Sequence, residues 1–177
     1  MAIIARGKSK DFQPAPEGLH RAVCVDVVDL GMLETDFGRK HKVMLSWQLE
    51  ERMDGTGKPF LVSKRYTLSL HKKSALRPDL ESWRGKPFSE EEISGFDLEK
   101  LLGVNCQLNV VHNKTAEGTY ANVSAVVPAP KGMPGLKVQD YTRVCDREGY
   151  EPPEAEEAEI PDNGVSTGIE TEEEIPF

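Results

Sequence analysis

Between residues 37 and 73 the chain gathers cations and aromatic rings. Arg39, Lys40 and Lys42 come first, then Lys58, Lys64 and Arg65, then Lys72 and Lys73. Phe37, Trp47, Phe60 and Tyr66 are interleaved with them. Such a mixture suits a polyanion that carries flat, stackable groups. Lys and Arg replace counterions on phosphates. Aromatic faces stack on bases, each stack contributing roughly 1–3 kcal/mol. These twelve residues are the candidate contacts for a nucleic-acid single strand.

Each ring also has a packing reading. Trp47 shares its strand face with Val43, Leu45 and Leu49, a core pattern. Tyr66 shares a parity with Leu68 and Leu70, and Trp83 sits at helical spacing from Leu76 and Leu80. Phe37, in a loop beside Gly38, is hard to bury and is the clearest stacking candidate.

Enzyme signatures are absent from the sequence. There is no phosphate loop of the G-x-x-x-x-G-K type, no H-E-x-x-H and no G-x-S-x-G. His20, His41, His71 and His112 have no ligand spacing, so no metal or cofactor is predicted. Asp26 and Asp29 on one strand leave a metal-dependent nuclease as an alternative.

Charge divides the chain. Of 22 Lys and Arg and 30 Asp and Glu, one base and twelve acids fall from Asp146 onward. The tail therefore carries −11, while residues 1–145 keep 21 bases against 18 acids, or +3. The mildly basic body and the acidic tail are expected to meet different partners. Cys24, Cys106 and Cys145 lack C-x-x-C spacing, and the first two sit in apolar runs, which predicts buried thiols in a reducing compartment. No stretch approaches the roughly 20 apolar residues of a membrane span. The first ten residues are too short and too charged for a secretory signal.

The elements that must position the cluster are mostly strands. Residues 22–30 are β-branched and end at Gly31. Residues 35–40 are predicted as a loop, 42–50 alternate cleanly, and 60–70 form a third strand after the turn Asp54-Gly55-Thr56-Gly57. Helices are predicted over 74–83, after the Ser89–Glu92 capping box, and over 97–102. Strands resume over 106–112 and 120–127, and 137–144 are a candidate edge strand. Three strands, a helical insert and two strands is the order of an OB-fold, a mainly β five-stranded Greek-key barrel. The expected organisation is an N-terminal arm (1–14), an OB-fold domain (15–145) and a disordered acidic tail (146–177).

The tail ends in Glu172, Glu173, Glu174, Ile175, Pro176 and Phe177. An apolar hook with a terminal carboxylate suits a partner pocket lined by apolar and basic groups. This ending resembles the acidic tip of bacterial and phage single-stranded DNA-binding proteins. The body, over roughly 60–130, resembles the phage-encoded members. The resemblance rests on His71-Lys72-Lys73-Ser74, the run from Leu80 to Phe88, Gly95-Phe96-Asp97-Leu98 and Leu101-Leu102-Gly103. It implies coating of single-stranded DNA in replication, recombination or repair, in a host bacterial cytoplasm. It also implies recruitment of replication or recombination proteins through the tip. The body lacks the N-terminal strand pattern of the bacterial housekeeping proteins, and a short glutamate-rich segment replaces their Gln/Gly-rich linker. Their tetramer is not carried over, and a homo-oligomer of another kind is left open. The alternative is an acidic adaptor or DNA-mimic inhibitor of a host nucleic-acid-binding protein.

Overall fold

The run Val23, Val25, Val27 and Val28 favours extended backbone, and it lies within an 18-residue strand, β1 (Gly18–Thr35). β2 (Gly38–Arg52) and β3 (Pro59–Thr67) follow. A helical stretch holds α1 (Leu76–Arg84), α2 (Glu90–Ser94) and a 3-10 turn (Leu98–Leu101). β4 (Asn105–Thr115) and β5 (Gly118–Pro128) complete one antiparallel five-stranded sheet in the order β3-β2-β1-β4-β5. This computed structural model describes residues 13–153. Residues 1–12 of the expected arm, and the tip Glu172–Phe177, lie outside the described residues.

The strands exceed their sequence-predicted lengths because cross-strand pairing extends them. β1 and β2 stay in register out to Thr35 opposite Gly38, so Arg39 and Lys40 are ladder residues opposite Glu34 and Leu33. The expected six-residue loop shrinks to Asp36 and Phe37. Residues 137–144 form no strand; only a 3-10 turn, Val144–Asp146, is regular there. The capping box is complete: the Ser89 Oγ accepts from Glu92 N at 3.3 Å, and Ser89 N donates to Glu92 Oε2 at 2.9 Å. α1 starts at Leu76, two residues later than expected, and ends at Gly85, whose φ of +74° suits the left-handed cap.

The core lies between the curled sheet and α1. Val43, Leu45, Trp47 and Leu49 of β2 face it with Phe60, Val62 and Tyr66 of β3 and Leu76, Leu80 and Trp83 of α1. The two indoles lie 6.0 Å apart in a tilted arrangement. Burying each large apolar side chain contributes roughly 1.5–3 kcal/mol. Cys24 and Cys106 are buried here, and burial pushes the Cys24 thiol up to about 12. Edge strands β3 and β5 approach each other where the sheet curls.

The opposite face of β1 and β2 is covered by a strap, residues 134–153. Arg21 donates to the Pro134 carbonyl, and Asn105 clasps Leu136 through both backbone groups, at 2.6 and 3.1 Å. Gln48 clasps Gln139 in the same way, at 2.6 and 2.9 Å. A register shift between Cys24 and Asp26 adds one residue to β1 and turns Asp26 to this face, opposite Ser46. There the fully buried Asp26 carboxylate accepts from Tyr141 Oη at 2.9 Å, Val144 N at 2.8 Å and Arg143 Nε at 3.2 Å. The strap finishes with Pro153 against Gly31. A Cβ on Gly31 would stand 2.6 Å from Pro153 Cβ, which makes glycine obligatory there for space as well as for its φ of +68°. Among the described residues no helix is long and apolar enough to cross a membrane.

Candidate nucleic-acid interface

The β1–β2 hairpin is shaped by Thr35. Its Oγ1 accepts from Phe37 N at 3.2 Å and donates to the Gly38 carbonyl at 2.7 Å. The turn closes over two residues and leaves the Phe37 ring at its apex, 88% exposed. Thr115-Ala116-Glu117-Gly118 repeats the device at the β4–β5 turn, where Thr115 Oγ1 bonds Glu117 N and the Gly118 carbonyl. Near that second turn stands Tyr120, 42% exposed. The sequence reading missed it because it sits outside the cationic cluster. An aromatic residue two positions past a Thr-x-x-Gly turn was the available signal.

Strand parity sorts the cations. Lys42 pairs with Thr67, Met44 with Arg65, Ser46 with Ser63 and Gln48 with Leu61. These pairs share the face away from the core, and Lys40 joins them by its spacing from Lys42. Arg65, Ser63 and Leu61 on β3 and Lys40 on β2 are exposed. The strap covers Ser46 and Gln48 in the middle of this face. What remains open is a strip along β3 and the outer arm of the hairpin.

The candidate cations differ in availability. Among the described residues the charged groups of Lys40, Lys58, Arg65, Lys72 and Lys73 have no hydrogen-bond or ion-pair partner. Lys42 Nζ donates to Thr67 Oγ1 at 2.8 Å and has no acidic partner among the described residues. Arg39 lies 3.4 Å from Glu34, an exposed pair that binding could exchange at little cost. Lys64 departs from expectation. It has the inward parity of Val62 and Tyr66, and its Nζ lies 2.7 Å from Asp79 Oδ2 on α1. Its charge is compensated within the fold, so it is not an available phosphate contact.

Three expected stacking rings are core residues instead. Trp47 is 0% exposed, and Phe60 and Tyr66 are buried beside it. The alternation that fits the sheet to α1 leaves no face of these rings for a base. Tyr66 Oη donates to the same Asp79 oxygen at 2.7 Å, and burial holds its phenol well above the ordinary tyrosine range. Phe37 is the expected ring that remains open, and Tyr120 joins it. Lys72 and Lys73 lie in the exposed turn before α1, where Lys73 N bonds His71 Nδ1 at 3.2 Å.

The two acids considered for metal chemistry have partners. Asp26 is neutralised by Arg143, and Asp29 Oδ1 takes the Gly31 N–H at 2.8 Å and His41 Nε2 at 2.6 Å. Among the described residues no three His, Cys, Asp or Glu side chains are grouped to hold a metal ion. The chain matches no protein-family model and no curated protein.

Proposed function

We propose that this chain is a non-catalytic single-stranded DNA-binding protein of replication, recombination or repair, with little sequence preference. One observation carries the reading. The outward face of β2 and β3 gathers Lys40, Lys42 and Arg65 beside a hairpin whose apex is a nearly free phenylalanine ring. Phosphates and bases need that pairing of unneutralised cations and an open aromatic face. The strand order, the contact between β3 and β5, and a helix between the third and fourth strands support an OB-fold as the scaffold.

The tail fits the same reading. Pro153 rests on Gly31, whose ladder partner is Lys42, so the acid-rich residues 154–177 start beside the cationic hairpin. Acids and phosphates then compete for the same cations, and bound DNA frees the Ile175-Pro176-Phe177 tip for a replication or recombination partner. The work belongs to a host bacterial cytoplasm.

Fluorescence anisotropy of labelled oligo-dT and of its duplex, at low and moderate salt, tests the proposal. Tight, salt-sensitive binding to the single strand alone is expected. No binding at low salt would overturn it and leave the acidic tail as the active element of a DNA mimic. Removing residues 154–177 is expected to tighten binding at low salt.

A further inference from the structure

Strands β3 and β5 end the sheet, and no ladder joins them. They nevertheless approach, with Cα atoms of the two strands within 8 Å of each other. An open slot of about 1080 Å³ lies along this approach. That is the upper end of the size of ligand clefts, roughly 300–1,000 Å³. Consecutive residues line it, Phe60 to Arg65 on β3 and Tyr120 to Val123 on β5. Neighbouring side chains of a strand point to opposite faces, so these walls are strand edges that carry backbone donors and acceptors.

The lining narrows the class of occupant. Phe60, Val62 and Val123 are a buried apolar floor, and Leu61 and Tyr120 are exposed rims, one on each strand. Gln13, Ser63 and Asn122 add neutral groups that both donate and accept. No Asp or Glu lines the slot. Of its two cations, Lys64 is held by Asp79, while Arg65 has no acidic partner among the described residues. An alkyl chain would leave the amides and strand edges without partners. A further strand between β3 and β5 would need about 10 Å, two ladder spacings. A nucleobase meets every condition. It is about 3.4 Å thick. Its faces stack, its edge carries donors and acceptors, and its phosphate suits Arg65.

We infer that the slot takes a base of the bound single strand, stacked on Tyr120, with the adjoining phosphate at Arg65. The inference rests on the DNA-binding reading and extends the path of the strand. Leu61, Ser63 and Arg65 belong both to the outward face of β3 and to the slot, so the face that holds Lys40 and Lys42 runs into it. Phe37 and Tyr120 then hold different bases.

Photo-cross-linking tests the site. Oligo-dT with 5-iodouracil in place of thymine is irradiated with the full chain, and cross-linked peptides are identified by mass spectrometry. Anisotropy is measured on Tyr120→Ala, Tyr120→Phe, Phe37→Ala and the Tyr120→Ala, Phe37→Ala double variant, with thermal melts to confirm the fold. Cross-links are expected at the slot as well as at Phe37. Tyr120→Ala is expected to weaken binding at least about five-fold, and Tyr120→Phe, which keeps the ring, to bind like the parent. The double variant should lose about the product of the two single effects, as separate contacts do. Binding by the parent without a slot cross-link, or with Tyr120→Ala equal to the parent, would overturn the slot site and leave the DNA-binding reading standing. No binding by the parent would overturn both. A slot cross-link from free 5-iodo-dUMP and none from the oligonucleotide would overturn the inference in favour of a mononucleotide site.

Discussion

Arg143 closes on Asp26 across 117 positions of sequence, Nε to Oδ1 at 3.2 Å, beneath a strap that hides the carboxylate completely. The same guanidinium reaches Glu99 at 2.8 Å, which ties the strap to the 3-10 turn before β4. One residue therefore fastens residues 134–153 to two separate parts of the fold. The charge of Asp26 is tolerable in the interior because Arg143, Tyr141 and Val144 supply its donors.

The Arg143→Ala variant should lose about 3 kcal/mol of stability, the low end for breaking a buried pair, because the guanidinium is 26% exposed. Urea unfolding followed by tryptophan fluorescence gives the number. A loss below about 1 kcal/mol would mean that water replaces Arg143 at no great cost and that the strap is not fastened there.

Phe37 and Trp47 should separate binding from folding. Phe37→Ala removes an exposed ring and is expected to weaken oligo-dT binding by roughly 1–3 kcal/mol, with thermal stability unchanged. Trp47→Ala empties a core position and should cost about 3–5 kcal/mol of stability. Anisotropy and thermal melts on both variants would show the division; weaker binding by folded Trp47→Ala than by Phe37→Ala would reverse the assignment.

Salt dependence distinguishes the cations. Lys40→Ala and Arg65→Ala should each lower the slope of log K against log salt by about 0.7 for a single strand. Lys64→Ala should leave the slope unchanged, since Asp79 already compensates that charge. A slope reduced equally by all three would show that Lys64 leaves Asp79 to bind DNA.

Glu92 predicts an acid-side loss of stability. The paired Arg84 guanidinium, at 2.9 and 3.0 Å, and the Ser89 N–H hold its carboxyl down at about 2, against an ordinary 4.5. A folded-state value below the unfolded one stabilises the fold above pH 4.5, and the contribution disappears as pH falls from 4.5 towards 2. Glu92→Gln should therefore be less stable than the parent at pH 7, and the difference should shrink across that window. Denaturant midpoints from pH 7 to 2.5 measure it, and a constant difference would refute the assignment.

Much of this protein follows from local sequence. The alternation of Val43, Leu45, Trp47 and Leu49 specified a half-buried strand, because side chains repeat every two residues. Ser89 and Glu92 specified a helix start through backbone groups three residues away. Cys24 and Cys106 read as buried from the apolar runs that hold them. Local pattern left open which rings and charges are available. Tyr66 and Phe60 are sequestered only because α1 packs on the inward face of β3, and Lys64 is compensated only because that packing brings Asp79 to it. The strap was not legible at all. Its hydrogen bonds join Asn105 to Leu136, Gln48 to Gln139 and Asp26 to Arg143, partners far apart in sequence. The Asp26 bonds also follow the register shift between Cys24 and Asp26, which no local pattern in β1 signals.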